Sequence, residues 1–318
     1  MNLDTSFGIA NTAVGWSALG NTSGASLNTA MGAGTLLSSN GEQNTATGAA
    51  ALLNNTAGAF NTAAGAFALF SNTMGLHNAA IDWYSLAQNT EGTANTAIGG
   101  SALLDNTTGE NNTAVGNNAL VHSTGSDNVA LGFISGNGVT TADNVICIGT
   151  GVAGADVSDT TWIGNVYGVT TQSGTTAQVI VSDTGQLGTV ASSERFKKDI
   201  ATMEKASESI LSLRPVTFHY KTDAKGTPQF GLIAEDVAKV NPALVLSDKD
   251  GKPYTVRYDA VNAMLLNEFL KEHRKNEEQE ATIARQQKQI ERLTAGLQRV
   301  SAQLALNKLA PQTALNNQ

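Results

Sequence analysis

The chain has 318 residues, of which 27 are acidic and 19 are lysine or arginine, so its formal net charge at pH 7 is −8. The charge is unevenly distributed: no lysine or arginine precedes Arg195, whereas residues 1–191 carry 11 acidic side chains. Binding to nucleic acid requires cations that neutralise phosphates, so the acidic front half argues against nucleic acid as a partner. A front half that is acidic and lacks lysine and arginine is typical of a solvated extracellular rod.

Three further features restrict the class of protein. The apolar runs are shorter than the roughly 20 residues of a membrane span, so no membrane insertion is expected. The first residues contain neither the basic nor the apolar segment of a signal peptide, which predicts a piece of a longer protein or release by another route, such as phage lysis. The one cysteine, Cys147, has apolar neighbours and is expected to fill a core.

A repeat of the form Asn-(Thr/Val/Ala)-Ala-x-Gly dominates residues 11–165. Its copies follow one another at intervals of 16 or 17 residues, and this regularity does not arise from composition alone. The copies begin at Asn11, Asn28, Asn44, Asn61, Asn78, Asn95, Asn112, Asn128 and Asn144.

Each repeat predicts a strand, a turn, a second strand and a second turn. A segment such as Asn-Thr-Ala-Val-Gly alternates, an apolar segment such as Ser-Ala-Leu-Leu follows, and residues rich in Asn, Thr and Gly close the unit. The same residue types have low helix propensity, which argues against helices. We expect stacked coils with small inward residues (Ala, Thr, Val), so that side-by-side association of chains supplies the burial that one chain lacks.

The repeats resemble the β-roll heads of trimeric autotransporter adhesins, whose coils carry motifs of the Asn-Ser-Val-Ala-Ile-Gly type. This resemblance covers about half of the chain and implies a left-handed parallel β-roll packed as a homotrimer. The coil that contains Asp82 departs from the pattern, because Asp82 stands where the repeat has glycine.

Other functions of the rod are weaker alternatives. A glycan-cleaving spike would need a pair of carboxylates, which does not recur in the repeats, and an ice-binding face would need more than one threonine per strand. His77 and His122 stand alone in turns, so we expect no metal and no cofactor. Trp16 and Trp83 share one repeat position, where each ring would stack on a sugar or pack between coils or chains. A host-surface glycan or protein receptor stays open as a partner.

After residue 165 the repeat is lost. Residues 166–191 predict a neck with a β-hairpin, whose turn is Asp183-Thr184-Gly185. The hairpin leads to Ser192 and to the charged segment Ser-Ser-Glu-Arg-Phe-Lys-Lys-Asp-Ile at 192–200.

Residues 192–275 resemble the C-terminal intramolecular chaperone domain of phage endosialidases and tail spikes, which cuts itself from the finished fibre. The family pattern Ser-Asp-x-Arg-x-Lys corresponds to the charged segment. Three more blocks follow in the family's order, at 210–220, 230–245 and 250–272. Four ordered blocks make this resemblance far more specific than one short motif.

The resemblance implies a serine peptidase with a lysine base. Two registers have the required spacing, Ser192 with Lys197 and Ser193 with Lys198. The family places arginine three residues after the serine, and Arg195 fits only the first register. Ser193 departs from the pattern, because aspartate is common at its position.

The expected chemistry follows from these residue types. Ser192 would be the nucleophile, Lys197 its base, and the Ala191–Ser192 bond the site of cleavage. Arg195 would support the site by holding a carboxylate or the developing oxyanion. The reaction would occur once per chain, with no other substrate.

The tail predicts a long helix from Ala260 that ends in a coiled coil. Apolar residues recur every seven positions, and two more follow three residues after members of this series, which is an a/d seam. The a positions are Ile283, Ile290, Leu297 and Leu304, and the d positions include Gln286, Leu293 and Val300. Isoleucine at a positions is compatible with trimers.

The sequence thus predicts a mainly β protein with a C-terminal α part. Its expected parts are a lead-in at 1–10, a trimeric left-handed parallel β-roll (β-solenoid) at 11–165, the neck at 166–191, an α+β chaperone domain at 192–265, a trimeric coiled-coil helix at 266–306 and a frayed tail at 307–318. The predicted function is a homotrimeric fibre or adhesin of a virion tail or bacterial surface, whose chaperone domain cuts itself off after assembly. The alternative is a trimerisation clamp that is not cleaved.

Overall fold

The structure, a computed structural model, describes residues 8–309 and consists of two units. The first unit ends at Ala177 and the second begins at Gln178. The predicted lead-in and frayed tail lie largely outside the described residues.

The first unit is a parallel β-solenoid in which every coil contributes one three-residue strand to a ten-stranded sheet. Each strand pairs in parallel with the next strand of the chain, so the sheet order is the chain order. The strands are β1 Thr12–Val14, β2 Thr29–Met31, β3 Thr45–Thr47, β4 Thr62–Ala64, β5 Ala79–Ile81, β6 Thr96–Ile98, β7 Thr113–Val115, β8 Val129–Leu131, β9 Ile146–Ile148 and β10 Thr161–Ile163. The predicted parallel β-solenoid is confirmed.

The core of the solenoid contains larger side chains than the sequence predicted. The middle residue of each strand from β2 to β9 points inward, and it is alanine or, in β9, Cys147. Threonine at the first strand position, as in Thr45, points outward because strand residues alternate between faces. The predicted small inward residues are present, but a second inward column is leucine, and its fully buried members are Leu36, Leu52, Leu69, Leu86, Leu103 and Leu120.

The second apolar segment of each repeat forms a turn, so the predicted second strand is wrong. The buried leucines have φ between 48° and 51°, which is incompatible with a strand. Their amides still bind the next coil: the Leu52 N–H donates to the Ala68 carbonyl at 3.0 Å, and the Leu69 N–H donates to Ser85 at 3.0 Å. The stacking of coils supplies these hydrogen bonds, so the segment needs no extended backbone.

Buried asparagines form a ladder through the stack, a feature that the sequence analysis did not anticipate. In each rung the side-chain Oδ1 accepts the backbone N–H of the equivalent residue in the next coil at 2.8–2.9 Å. The Nδ2 group donates to a backbone carbonyl of that coil at 2.7–2.9 Å. The buried members are Asn28, Asn44, Asn61, Asn78, Asn95, Asn112 and Asn128.

The last residue of the ladder is Val145, one position after Asn144, where the last repeat was predicted to begin. The N–H that bonds Asn128 Oδ1 belongs to Val145, which precedes β9 and is buried. Asn144 is exposed, has φ 55° and donates to Asp159 at 2.8 Å. The repeat assignment at Asn144 is therefore wrong by one position. The inward position of this coil is occupied by Val145, although the motif has asparagine there.

A glycine follows most strands because the next coil leaves no room for a side chain there. Gly48, for example, has φ 125°, and a Cβ atom on it would lie 2.6 Å from the Gly65 carbonyl oxygen. Asp82 occupies the same position with φ 95°, and its own Oδ1 accepts the Trp83 N–H at 2.7 Å. An L-residue in this conformation is strained.

Replacement of Asp82 by glycine is expected to stabilise the solenoid by up to about 1 kcal/mol, because relief of the strained φ exceeds the loss of one exposed hydrogen bond. The measurement is the midpoint of chemical unfolding followed by circular dichroism. Asp105→Gly removes a carboxylate from the next coil without this backbone relief, and it should not stabilise. An Asp82→Gly midpoint equal to or below that of the parent would contradict the strain at this position.

The second unit is a small α+β domain with a long helix. Three antiparallel pairs are formed by β11 Val179–Val181 with β12 Leu187–Thr189, β13 Val216–Phe218 with β14 Gln229–Gly231, and β15 Val245–Ser247 with β16 Pro253–Val256. The helices are α1 Ala234–Val240 and α2 Tyr258–Leu309, with 3₁₀ helices at Glu194–Phe196, Glu204–Ser212 and Pro242–Leu244. The core consists of Ile210, Val237, Leu244, Val256 and Met264.

The local predictions for the second unit agree with this structure. The neck hairpin turns at Gly185 with φ 82°, and the β15–β16 hairpin turns at Gly251 with φ 79°. The long helix begins at Tyr258, two residues before the predicted start. Among the helices that the structure describes, none has the length and the apolar composition that crossing a bilayer requires.

Candidate processing site

The residues predicted to carry out cleavage lie on an exposed segment between the β11–β12 hairpin and the core of the second unit. Ser193 has an extended backbone, and the 3₁₀ helix Glu194–Phe196 follows. The Phe196 N–H donates to the Ser193 carbonyl at 3.1 Å, and the Lys197 N–H donates to the Glu194 carbonyl at 2.9 Å. One tight turn therefore separates the predicted nucleophile from the predicted base.

The single chain does not bring the predicted dyad together. Ser192, Arg195 and Lys197 are all exposed, and no hydrogen bond or ion pair within residues 8–309 joins their side chains. The Arg195 guanidinium instead lies over the Phe196 ring, 4.6 Å from its centroid. A serine hydroxyl needs a base within hydrogen-bond reach to become a nucleophile. The exposed segment thus lacks the surroundings that activate a serine.

The same unit contains a second serine–lysine cluster, which no sequence motif indicates. Ser207 is fully buried in the 3₁₀ helix Glu204–Ser212, and its hydroxyl donates to Glu268 Oε1 of α2. The Asn267 amide donates to Ser207 Oγ at 2.7 Å, and Lys271 Nζ donates to Glu268 at 2.7 Å. About 60 residues separate the two sides of the cluster in sequence, so no local motif signals it.

The charges of this cluster argue against Ser207 as a lysine-activated nucleophile. The hydrogen bonds from Lys271 and Ser207 hold the pKa of Glu268 below its usual range. The hydrogen bond to Glu268 raises the pKa of Lys271, so the lysine keeps its proton. A protonated amine cannot accept the serine proton. The cluster therefore joins two elements and leaves Ser192 as the candidate nucleophile.

The second unit also exposes an apolar groove of about 730 Å³ between β13, β14 and α2. Val216, Phe230, Tyr258 and Leu265 are among the residues that line it, and Phe230 is 80% exposed. An open apolar groove of this size is typical of a surface that another chain covers.

The comparison with protein families gives a match within the second unit. Residues 192–246 match the family described as chaperone of endosialidase. A C-terminal chaperone domain follows the β-roll. The match begins at Ser192, the predicted nucleophile, and contains three of the four sequence blocks in full; the fourth, 250–272, lies beyond it. Self-cleaving serine peptidase activity is a property of this family, and the family is associated with phage tail or surface fibres. No curated protein and no solved structure matches the chain.

Outside the chaperone domain, the other candidate residues have ordinary contacts. His77 stacks on Phe60 with 4.8 Å between ring centroids, and His122 contacts Asp105 at 2.8 Å. In the described part of the chain, no three His, Cys, Asp or Glu side chains are grouped as a metal site.

The two tryptophans of the solenoid named above are exposed, whereas the cysteine is buried. The rings of Trp16 and Trp83 are 80% and 55% exposed, so in one chain neither is packed between coils. Cys147 is buried, and burial raises the pKa of its thiol, as expected for a residue that fills the core.

Proposed function

We propose that the protein is a homotrimeric fibre or adhesin of a virion tail or bacterial surface, and that its chaperone domain assembles the trimer and then cuts the Ala191–Ser192 bond. The observation that carries the proposal is the family match that begins at Ser192, directly after the bond to be cut. Ser192 is the nucleophile, Lys197 its base, and Arg195 a supporting cation.

The reaction needs no cofactor. Ser192 Oγ attacks the carbonyl carbon of Ala191 while the neutral Lys197 amine takes the hydroxyl proton. The C–N bond then breaks, the Ser192 amine leaves with a proton, and an ester joins Ala191 to Ser192. Water hydrolyses this ester, which leaves a carboxylate on Ala191 and restores the serine hydroxyl. Arg195 stabilises the oxyanion in both steps.

Two exposed apolar surfaces support assembly before cleavage. The seam of α2 from Ile283 to Leu304 is 56–74% exposed at its Ile, Leu and Val positions in the single chain. The groove beside Phe230 is a second such surface. A neighbouring chain that covers the segment at Ser192 would remove water from Lys197 and allow its amine to act as a base. Cleavage would then occur only in a complete trimer.

Ser192→Ala is expected to abolish cleavage of the full chain, because the nucleophile is lost. Mass spectrometry of freshly expressed protein should detect fragments 1–191 and 192–318 from the parent and intact chain from Ser192→Ala and Lys197→Ala. Ser193→Ala is the matched control and should still be cut after Ala191. Cleavage that survives Ser192→Ala but not Ser193→Ala would assign the reaction to the other register, with Lys198 as base.

The clamp that trimerises without cleavage is the second candidate, and the separation of Ser192 from Lys197 in the single chain favours it. An intact parent chain that is trimeric in solution would support the clamp and overturn the peptidase. Cleavage by chains that are monomeric at the concentration used would overturn the dependence on assembly.

A further inference from the structure

A partly buried polar cluster connects the long helix to the element that follows the processing segment. It consists of Ser207 on the 3₁₀ helix Glu204–Ser212 and of Asn267, Glu268 and Lys271 on α2, and we call it the latch. Ser207 has no exposed surface, and the Glu268 side chain is 14% exposed. A polar network buried to this extent holds its members in one arrangement.

The latch holds the 3₁₀ helix against α2 at the end nearer to the processing segment. The Asn267 amide also donates to the Glu204 carbonyl at 3.2 Å, and Lys271 Nζ lies 3.6 Å from Glu208. Glu204 is the first residue of the 3₁₀ helix and Lys197 precedes it by seven residues. Ser207 of the latch is therefore the first buried polar residue along the chain from Lys197 towards α2.

The same helix carries the seam expected to join three chains. Lys271 lies twelve residues, or about three helical turns, before Ile283. A continuous helix transmits its position over this distance because its backbone is fully hydrogen-bonded. When the seam aligns three α2 helices, the latch carries the 3₁₀ helix of each chain into a matching position.

We propose that the latch is a positioning device for self-cleavage, in which Ser207 couples the assembled α2 helices to the segment Ser192–Lys197. This inference rests on the proposed function. Ser207 and its partners do not touch the scissile bond. They fix the position of Glu204, from which the chain leads back to the segment Ser192–Lys197. A misplaced nucleophile or base slows a reaction by about ten- to hundredfold even when both groups are present.

Ser207→Ala is the first test. The substitution removes the hydroxyl but leaves the Glu268–Lys271 ion pair, so the domain is expected to fold and α2 to trimerise. The first-order rate of cleavage within purified full-length trimers should fall at least about tenfold. Ser212→Ala, an exposed serine of the same 3₁₀ helix, is the matched control and should cleave at the parent rate. An unchanged rate in Ser207→Ala trimers would overturn the latch.

A second variant keeps the test decisive if Ser207→Ala fails to fold. Insertion of Gly-Gly between Ala201 and Thr202 leaves the latch intact and lengthens the exposed connection to Lys197. Trimers should form as in the parent, and cleavage should slow by a similar factor. A parent-like rate after insertion would show that the position set by the latch does not reach the processing segment.

Hydrogen exchange separates failure of the latch from failure of the proposed peptidase. In Ser192→Ala trimers, which cannot cut, Ser207→Ala should increase amide exchange in both Glu204–Ser212 and Glu194–Phe196. This measurement does not require cleavage of the parent protein. If the parent is never cut, the proposed peptidase activity is contradicted, and the exchange rates still test the latch. Increased exchange confined to Glu204–Ser212 would assign Ser207 a merely local structural role and overturn the coupling.

Discussion

Ile290→Asp is expected to convert the uncut protein from trimer to monomer at micromolar concentration. Ile290 is an a position of the α2 seam and is 56% exposed in the single chain, so in the proposed trimer the other chains would bury it. Burying one isoleucine side chain contributes about 1.5–3 kcal/mol, and a trimer loses three such contributions at once. Three carboxylates would also meet at the axis, where desolvation and mutual repulsion oppose assembly.

The measurement is light scattering coupled to size exclusion, with Ser192→Ala present so that the helix stays attached. Lys288→Asp places the same residue two positions earlier, off the seam, and should remain trimeric. In the active background, Ile290→Asp should also suppress cleavage in proportion to the lost trimer. A trimer that persists in Ile290→Asp would show that α2 does not hold the chains together.

Asn78→Asp is expected to lower the stability of the solenoid by about 3 kcal/mol or more at pH 7. Asn78 is 1% exposed, its Nδ2 group donates to the Gly92 carbonyl at 2.8 Å, and its Oδ1 accepts the Asn95 N–H at 2.9 Å. Aspartate keeps the acceptor but turns the donor into an oxygen that faces the Gly92 carbonyl. The carboxylate must lose hydration without a replacement hydrogen bond, or it must bind a proton.

The same substitution should make stability depend on pH. When protonated, the introduced carboxyl group would donate to the Gly92 carbonyl as the asparagine does, so burial raises its folded-state pKa above the unfolded value of about 3.9. The cost is smallest below pH 3.9 and grows by about 1.4 kcal/mol per unit as pH rises towards the folded-state pKa, above which it is constant.

Chemical unfolding midpoints at pH 4 and pH 7 measure this dependence. Asn117→Asp adds the same charge at an exposed site and should change stability by less than about 0.5 kcal/mol at both pH values. Equal midpoints for the two variants would contradict a ladder of buried amides.

Much of the solenoid and two hairpins of the second unit could be predicted because their signals are local. The repeat interval identified parallel coils, and the Asp183-Thr184-Gly185 and Asp250-Gly251 turns identified two hairpins that the structure contains. The spacing of Ser192, Arg195 and Lys197 selected one register of the family motif, and the family match begins at the same serine. Whether these three side chains act together is a prediction that depends on more than one chain.

The predictions failed where a residue's role depends on a neighbouring coil. Leucine was assigned to a second strand and the repeat asparagine to the start of the first strand, yet both columns are buried and neither role was predicted. Leu52 adopts φ 50° because stacking satisfies its amide and its side chain gains a dry environment. The strain at one residue is small compared with the burial of a leucine side chain.

The sequence by itself determined the period of the coils, the change from an acidic rod to a charged chaperone domain, and the heptad seam of α2. Each follows from residue types at fixed spacing along one chain. The tertiary structure alone decided that the repeat asparagines form a buried ladder, that Val145 rather than Asn144 continues the register, and that Ser207 is joined to Glu268. These features depend on hydrogen bonds between residues distant in the chain, because the partner that satisfies a buried polar group is chosen by folding and not by sequence proximity.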